Sequence, residues 1–151
     1  MHRKFLSGVA IAMALVAISS KAAPAPADIA GYWVTAERDS IVQIGRCGSS
    51  ICGIVRSYRG TPNETDRANR NAALRTRPIC GLRIVGSVVP SGLGWTPGWL
   101  YNPETGSQYS LAIKSVSTQQ LRMRVYEGVE QLGEDVVWTR SLKIPTNCSD
   151  V

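Results

Sequence analysis

Histidine is nearly absent from this sequence, with His2 the only one among 151 residues. It lies in a segment with the pattern of a signal peptide, so the exported chain would contain none. A Ser/His/Asp triad, a Cys/His pair and a His-ligated metal site are then excluded. A G-x-S-x-G elbow, a phosphate-binding loop and a cluster of metal ligands are also missing from the sequence. We therefore predict no catalytic motif, no metal site and no cofactor.

Long apolar segments are also missing. The run at residues 5–18 is too short to span a bilayer comfortably, and no later run is longer. Arg3 and Lys4 precede it and the small residues of SSKAAPAPAD follow it, which is typical of a cleaved signal peptide. We predict cleavage after Ala27 or after Ala22. With no cysteine near these sites to carry a lipid anchor, we expect a periplasmic or secreted protein without a membrane span.

Removal of residues 1–27 leaves 124 residues, the size of one modest domain, at 28–151. Three of the seventeen basic residues leave with the signal, so the formal charge falls from +6 to +3. So weak a positive charge gives little support to nucleic-acid binding, and we predict none. The oligomeric state has no signature in the sequence.

Four cysteines remain in the exported chain, and an even number in an oxidising compartment predicts disulfides. Two strand-like runs meet between Cys47 and Cys52, which places these residues opposite each other in a hairpin. Cys80 and Cys148 are then left to pair. A zinc site made of all four is the alternative, but the spacing and the compartment disfavour it.

Short runs with β-strand character recur about every ten residues, with Gly and Pro between them. In LRMRVY, for example, Leu121, Met123 and Val125 share one face of a strand. We predict an all-β fold in which eight antiparallel strands close into a barrel, with a two-sheet sandwich as the alternative. The interior of such a barrel is either filled by side chains or holds one small ligand. The predicted strands span residues 32–36, 40–46, 51–58, 81–89, 95–101, 107–115, 119–126 and 134–141.

Between the third and fourth strands lies a long polar segment, RGTPNETDRANRNAALRTRP, at residues 59–78. Loops of this length are usually functional or mobile. We predict either an irregular loop or a short helix over residues 66–75, capped by Thr65 or Asp66 and ending before Pro78.

Several motifs together resemble a small exported bacterial family known as domain of unknown function 2147. They are GYW, CGSSICG, TDRAN followed by RPICGL, GWTPGWLYNPETGSQY and the final WTR, and they extend from Gly31 to Arg140. The resemblance implies a lipocalin-like barrel and export, and no established activity. It also implies that Trp33 on the first strand is covered by Arg140 near the last one. A guanidinium over an indole ring is itself favourable, and Trp138 lies on the same face as Arg140. We therefore assign Gly31, Trp33, Trp138 and Arg140 to the scaffold.

Candidate ligand-binding residues fall into three groups. Arginines crowd the polar segment and could bind an anion if it lies across the barrel mouth; otherwise they form a solvated surface. Asp66 and Asn69 could bind a ligand or, as short polar side chains often do, fix their own loop. Three aromatic residues could form a ligand-facing wall or simply pack in the core and turns. The candidates are Arg67, Arg70, Arg75, Arg77, Asp66, Asn69, Trp95, Trp99 and Tyr101.

These features favour an exported binding protein that holds a small amphipathic or anionic ligand at the barrel mouth. One alternative is a filled barrel whose surface contacts an envelope protein or a cell-wall polymer. A carboxylate-dependent hydrolase is a remote alternative, because the spacing of Glu104, Glu134 and Asp135 places no pair on one face of a cleft.

Overall fold

The computed structural model describes residues 29–61, 63–91, 94–145 and 147–148. The predicted signal peptide and both predicted cleavage sites lie outside these residues. Among the described residues, none belongs to a helix long and apolar enough to cross a bilayer.

The described residues form ten strands, and eight of them close into an antiparallel barrel in the order β1-β10-β9-β8-β7-β4-β3-β2. This confirms the predicted eight-stranded barrel. The remaining two strands, β5 and β6, form a separate hairpin. The strands are β1 (Gly31–Val34), β2 (Ser40–Cys47), β3 (Ser50–Tyr58), β4 (Arg83–Val88), β5 (Pro90–Ser91), β6 (Gly94–Trp95), β7 (Gly98–Asn102), β8 (Ser107–Val116), β9 (Gln120–Tyr126) and β10 (Glu134–Arg140).

The predicted strand at 95–101 is interrupted near Pro97. Its first residue, Trp95, belongs to β6 and pairs with Pro90, whereas β7 starts only at Gly98 and pairs with β4 and β8. Proline has no N–H to give to a strand ladder, so the chain leaves the sheet here and re-enters it one residue later.

Connections alternate between the two ends of the barrel because neighbouring strands are antiparallel. We call the end with the β1–β2, β3–β4, β7–β8 and β9–β10 connections the open end. The opposite end, with the β2–β3, β4–β7 and β8–β9 connections, is the closed end.

The predicted face of β9 is confirmed at its start: Leu121 and Met123 are buried in the core, while Arg122 between them is exposed.

The closed end is sealed around Trp33, which is completely buried. Its indole N–H donates to the carbonyl of Ile29 at 2.9 Å, and the Arg140 guanidinium carbon lies 4.2 Å from the ring centroid. The guanidinium also donates to the carbonyls of Ala30, at 2.9 Å, and Thr118, at 2.7 Å. A side chain at Gly31 would collide with it. The cation–π contact and the bond to Ala30 thus join the last strand to the start of the first, and the bond to Thr118 ties the last strand to the β8–β9 connection.

Both predicted disulfides are present. Cys47–Cys52 spans the tight β2–β3 turn, and Cys80–Cys148 joins residues 68 apart. Cys80 precedes β4 at the open end, whereas β10 ends at the closed end. The chain after β10 therefore returns along the barrel to reach its partner.

Of the two predictions for the polar segment at 59–78, the irregular loop is the one confirmed: its described residues form the 3₁₀ turn Ala72–Leu74, and the predicted alternative, a helix over 66–75, is absent from them. The predicted caps were wrong as well: Asn71 caps this turn by accepting from the Ala73 N–H at 3.1 Å. Thr65 instead forms a β-bridge with Pro78, and the Asp66 carboxylate is occupied by more distant partners. Because these two partners of Asp66 lie 11 and 35 positions away along the chain, local helix signals did not reveal these contacts.

Candidate ligand-binding cavity

A cavity of about 450 Å³ opens at the open end of the barrel. Alternate side chains of each strand point into the barrel and form one interior along its length. At the closed end this interior is filled by Trp33 and Arg140, and at the open end it forms the cavity. Its apolar lining comes from β3, β4, β7, β9 and β10 and from the β9–β10 connection. These residues are Val55, Ile84, Leu100, Val125, Leu132, Val136 and Trp138.

Tyrosines and carboxylates complete the lining. Tyr58, Tyr101, Tyr109 and Tyr126 border the cavity. Five acidic residues, which we call the mouth carboxylates, come from the connections at the open end and the strand ends beside them. They are Glu37, Asp39, Glu104, Glu127 and Glu134. The cavity therefore combines an apolar interior with an acidic rim.

Short-range hydrogen bonds hold two mouth carboxylates in place. The Thr35 hydroxyl donates to Asp39 at 2.7 Å, within the β1–β2 connection. In the β7–β8 turn, the backbone N–H of Glu104 donates to the side-chain oxygen of Asn102 at 2.9 Å. Gly106 closes that turn with a φ of 68°, and it packs so tightly on Ala68 that no side chain fits. The 59–78 segment thereby braces the turn that carries Glu104.

Like charges act on one another at this rim. The pKa of Glu104 is raised by partial burial and by the nearby carboxyl of Asp39, with smaller contributions from Glu37 and Glu64. The pKa of Tyr58 is raised by burial and by Glu64, Glu104 and Asp39. Both pKa shifts have the same causes: burial first, and then repulsion from the other carboxylates at this rim.

Asp66 and Asn69 lie in a buried network with Tyr101 and Arg77. The Tyr101 hydroxyl donates to Asp66 at 2.6 Å, and the Asn69 amide donates to Asp66 and to the Tyr101 oxygen, both at 2.8 Å. Arg77 donates to Asp66 at 2.8 Å through Nε and lies 2.7 Å away through its second nitrogen. These polar groups satisfy one another and fasten the 59–78 segment to β7. Burial and Asp66 both raise the pKa of Tyr101, so its phenol stays protonated and donates.

The other predicted arginines do not line the cavity. Arg67, Arg70 and Arg75 are exposed on the segment that covers Asp66. Arg75 donates to the carbonyl of Asn69 at 2.8 Å, and Arg70 reaches Ser107 at 3.5 Å. The segment does lie at the open end, but its positive charge faces solvent.

The predicted aromatic wall is divided. Trp99 and Tyr101 lie on the same face of β7, but the residue between them, Leu100, lines the cavity, so this face is the outer one. Trp99 lies against Gly86 and its N–H donates to Ser87 at 3.2 Å. Trp95 belongs to the β5–β6 hairpin, away from the cavity. Of the three, Tyr101 alone belongs to the cavity wall, next to Leu100 on β7, and its hydroxyl is directed away from the cavity to Asp66.

The chain matches a known family over residues 31–140, that of "Uncharacterized protein conserved in bacteria (DUF2147)". The protein belongs to this family. The match begins at Gly31 and ends at Arg140, the two residues that meet at the closed end. The predicted resemblance to DUF2147 is therefore confirmed. No curated protein matches the chain in sequence.

Among solved structures, this DUF2147 member is similar to the protein described as "Protein HP1028 from the human pathogen Helicobacter pylori belongs to the lipocalin family". The similarity has a TM-score of 0.66 and covers 74% of this chain and 82% of that one, at 22% identity. At this identity the likeness establishes the lipocalin-like barrel alone.

Several residues of this DUF2147 cavity were not found from the sequence. The expectation that no carboxylates converge was wrong for Asp39 and Glu104, whose side chains meet at the rim although 65 positions separate them. The available signal was modest: acidic residues recur in the connections that an antiparallel barrel brings to one end. Tyr58 carried no signal, because strand alternation does not reveal which face of a closed sheet is hollow.

Proposed function

We propose that this protein is an exported binding protein that holds a small amphipathic molecule in the cavity at the open end of its barrel. The observation that carries the proposal is the cavity itself. One end of the barrel is filled by Trp33 and Arg140, whereas the other leaves about 450 Å³ between apolar and aromatic side chains. That volume is within the range of small-ligand sites, which combine an apolar lining with a few polar groups.

Export is part of this proposal and rests on the signal-peptide pattern and on the two disulfides. Disulfides form and persist in oxidising compartments such as the periplasm or the extracellular space. Two of the four cysteines close a long loop at the open end, beside the cavity.

A neutral apolar dye, N-phenyl-1-naphthylamine, tests the proposal. We expect its fluorescence to rise when it enters the cavity of the purified protein. Val136 lines the cavity and its neighbour Val137 does not, so they form a matched pair. Val136→Trp should weaken dye binding by filling the cavity, and Val137→Trp should leave it unchanged. Absence of dye binding, or equal binding by the two variants, would refute the cavity as the site.

The natural ligand can be sought by native mass spectrometry of protein purified from its own cells. A bound mass that is lost in Val136→Trp and kept in Val137→Trp supports the proposal. Detection of the apo mass alone, with no thermal shift across a panel of lipids, sugars and anions, counts against it.

A second candidate function uses the outer surface. Arg67, Arg70 and Arg75 are exposed, and within the described part of the chain none of them pairs with a carboxylate. Such a surface suits an acidic envelope protein or cell-wall polymer. Crosslinking in cells should yield a reproducible partner that is lost in the Arg70→Glu, Arg75→Glu double variant. The absence of any partner would remove this candidate.

A further inference from the structure

The polar part of the cavity lining carries charge of one sign. Of the 21 lining residues, five are Asp or Glu, and within the described chain no Lys or Arg lines the cavity. The protein as a whole has the opposite balance, because Lys and Arg outnumber Asp and Glu by 17 to 11. The negative charge at the cavity therefore reflects a local arrangement and not the overall composition.

The mouth carboxylates are also not neutralised by the protein. Within the described residues, the acidic partners of the three ion pairs are Asp66, Glu130 and Asp135, and none of these lines the cavity. One basic residue, Arg59, borders an adjoining depression that shares Glu37, Asp39, Tyr58 and Glu104 with the cavity. Its guanidinium donates to the carbonyl of Arg38 at 2.8 Å, so it is held on the backbone.

Charged and apolar groups are separated along the depth of the cavity. Four of the five carboxylates lie on three different connections at the open end and the fifth, Glu134, begins β10, while Val55, Leu100 and Trp138 lie within the strands. Tyr58, whose ring could face a cation, lies at the end of β3 near Asp39 and Glu104. A cation at the mouth would gain from several uncompensated carboxylates and from aromatic faces.

From this separation we propose that the ligand is a cationic amphiphile, with an apolar chain or ring in the barrel and an amine or quaternary ammonium group between the mouth carboxylates. The inference rests on the proposed binding function and adds its charge class. An anionic ligand would bring a further negative charge to Glu104 and Asp39, which already repel one another. The exposed arginines cannot offset that, because they do not line the cavity.

Three probes with the same twelve-carbon chain and different head groups test the inference: dodecyltrimethylammonium, dodecyl maltoside and dodecyl sulfate. Isothermal titration calorimetry is done below micelle formation, with far-UV circular dichroism to verify that the fold persists. We expect the ammonium probe to bind roughly tenfold more tightly than the sulfate at low salt, with the neutral probe between them, and the difference to shrink as salt is added.

Two variants locate the effect. The Asp39→Asn, Glu104→Gln double variant should weaken the ammonium probe roughly fivefold and leave the maltoside unchanged, because it removes charge and keeps shape. Asp135→Asn is the matched control: this residue is on β10 next to Glu134, but it does not line the cavity. It should leave all three affinities unchanged.

The outcomes separate the two proposals. If the three probes bind with equal affinity and Val136→Trp abolishes binding, the cavity is a binding site but the inference about charge is overturned. Preference for the sulfate, or an equal effect of Asp135→Asn and the double variant, overturns it too. If no probe binds, the proposed function fails and the charge inference fails with it.

Discussion

Replacing Tyr101 with phenylalanine removes one oxygen atom from the most buried polar network in the described chain. That oxygen donates to Asp66 at 2.6 Å and accepts from Asn69 at 2.8 Å. Asp66 has no exposed surface, so water cannot replace the lost donor without a rearrangement. Asn69 still donates to Asp66, and Arg77 still pairs with the other carboxylate oxygen.

The expected cost follows from these contacts. A hydrogen bond to a charged group contributes about 1.5–3 kcal/mol, and loss of one partner leaves the other buried and unsatisfied. We expect a loss of about 2 kcal/mol in the free energy of unfolding. For a domain of this size, that corresponds to a fall in Tm of roughly 6–10 °C.

Thermal unfolding followed by circular dichroism measures this effect. The control is Tyr109→Phe, because Tyr109 also borders the cavity but its hydroxyl bonds to no described residue. A double-mutant cycle with Asp66→Asn should give a coupling of about 1 kcal/mol or more, because the two side chains touch. If Tyr101→Phe and Tyr109→Phe lower Tm equally, or the coupling is zero, the network does not fasten the 59–78 segment as described.

Three further predictions concern the closed end, the long disulfide and the mouth. Gly31→Ala should lower the free energy of unfolding by about 1–3 kcal/mol, because φ is 135° and the added carbon meets the guanidinium over the buried tryptophan. The control is Gly45→Ala, where the new carbon meets nothing and the loss should be under about 1 kcal/mol. Equal melting temperatures of the two variants would contradict this prediction. Replacing Cys80 and Cys148 by serine should lower the free energy of unfolding, measured by chemical denaturation, by about 4 kcal/mol. This is roughly twice the loss expected when the short Cys47–Cys52 disulfide is removed, because the closed loop is longer. Equal losses for the two disulfides would argue against the chain-entropy account. The raised pKa of Glu104 means that the folded state holds this proton more tightly, so the group lowers stability as pH rises from near 4.5 through the raised pKa. Glu104→Gln should lessen that decline in Tm as pH rises above about 4.5, and an unchanged pH profile of Tm would contradict the assignment.

The strands were predicted correctly where the sequence pattern depends on neighbouring residues. Alternation in β9 and the turn residues between runs both depend on neighbours in the sequence, and the structure confirms the strands they predicted. Of the loop and the short helix that were predicted for residues 66–75, the helix does not form, because its predicted capping residues bond elsewhere. Asp66 bonds to Tyr101, 35 positions away, and Thr65 pairs with Pro78. A local capping pattern does not show that the capping side chain bonds instead to a residue that is distant in the sequence and close in the fold.

The candidate site shows the same limit more strongly. The density of arginine can be read directly from the sequence, and the prediction of a binding site in the 59–78 segment rested on it. The cavity instead gathers Asp39, Glu104 and Glu127 from three separate connections. Each of these is an ordinary surface carboxylate in its own stretch of sequence.

The sequence alone therefore determined the class of this protein: an all-β barrel of eight strands, two disulfides, a first strand built around Trp33, and membership of the DUF2147 family. These properties follow from alternation, turn chemistry, cysteine spacing and short motifs, all of which can be read along the chain. The tertiary structure alone decided that one end of the barrel is hollow and that its rim is acidic. Closing a sheet brings together residues from every connection at one end, and the volume left between them depends on packing across the barrel, which no local pattern encodes.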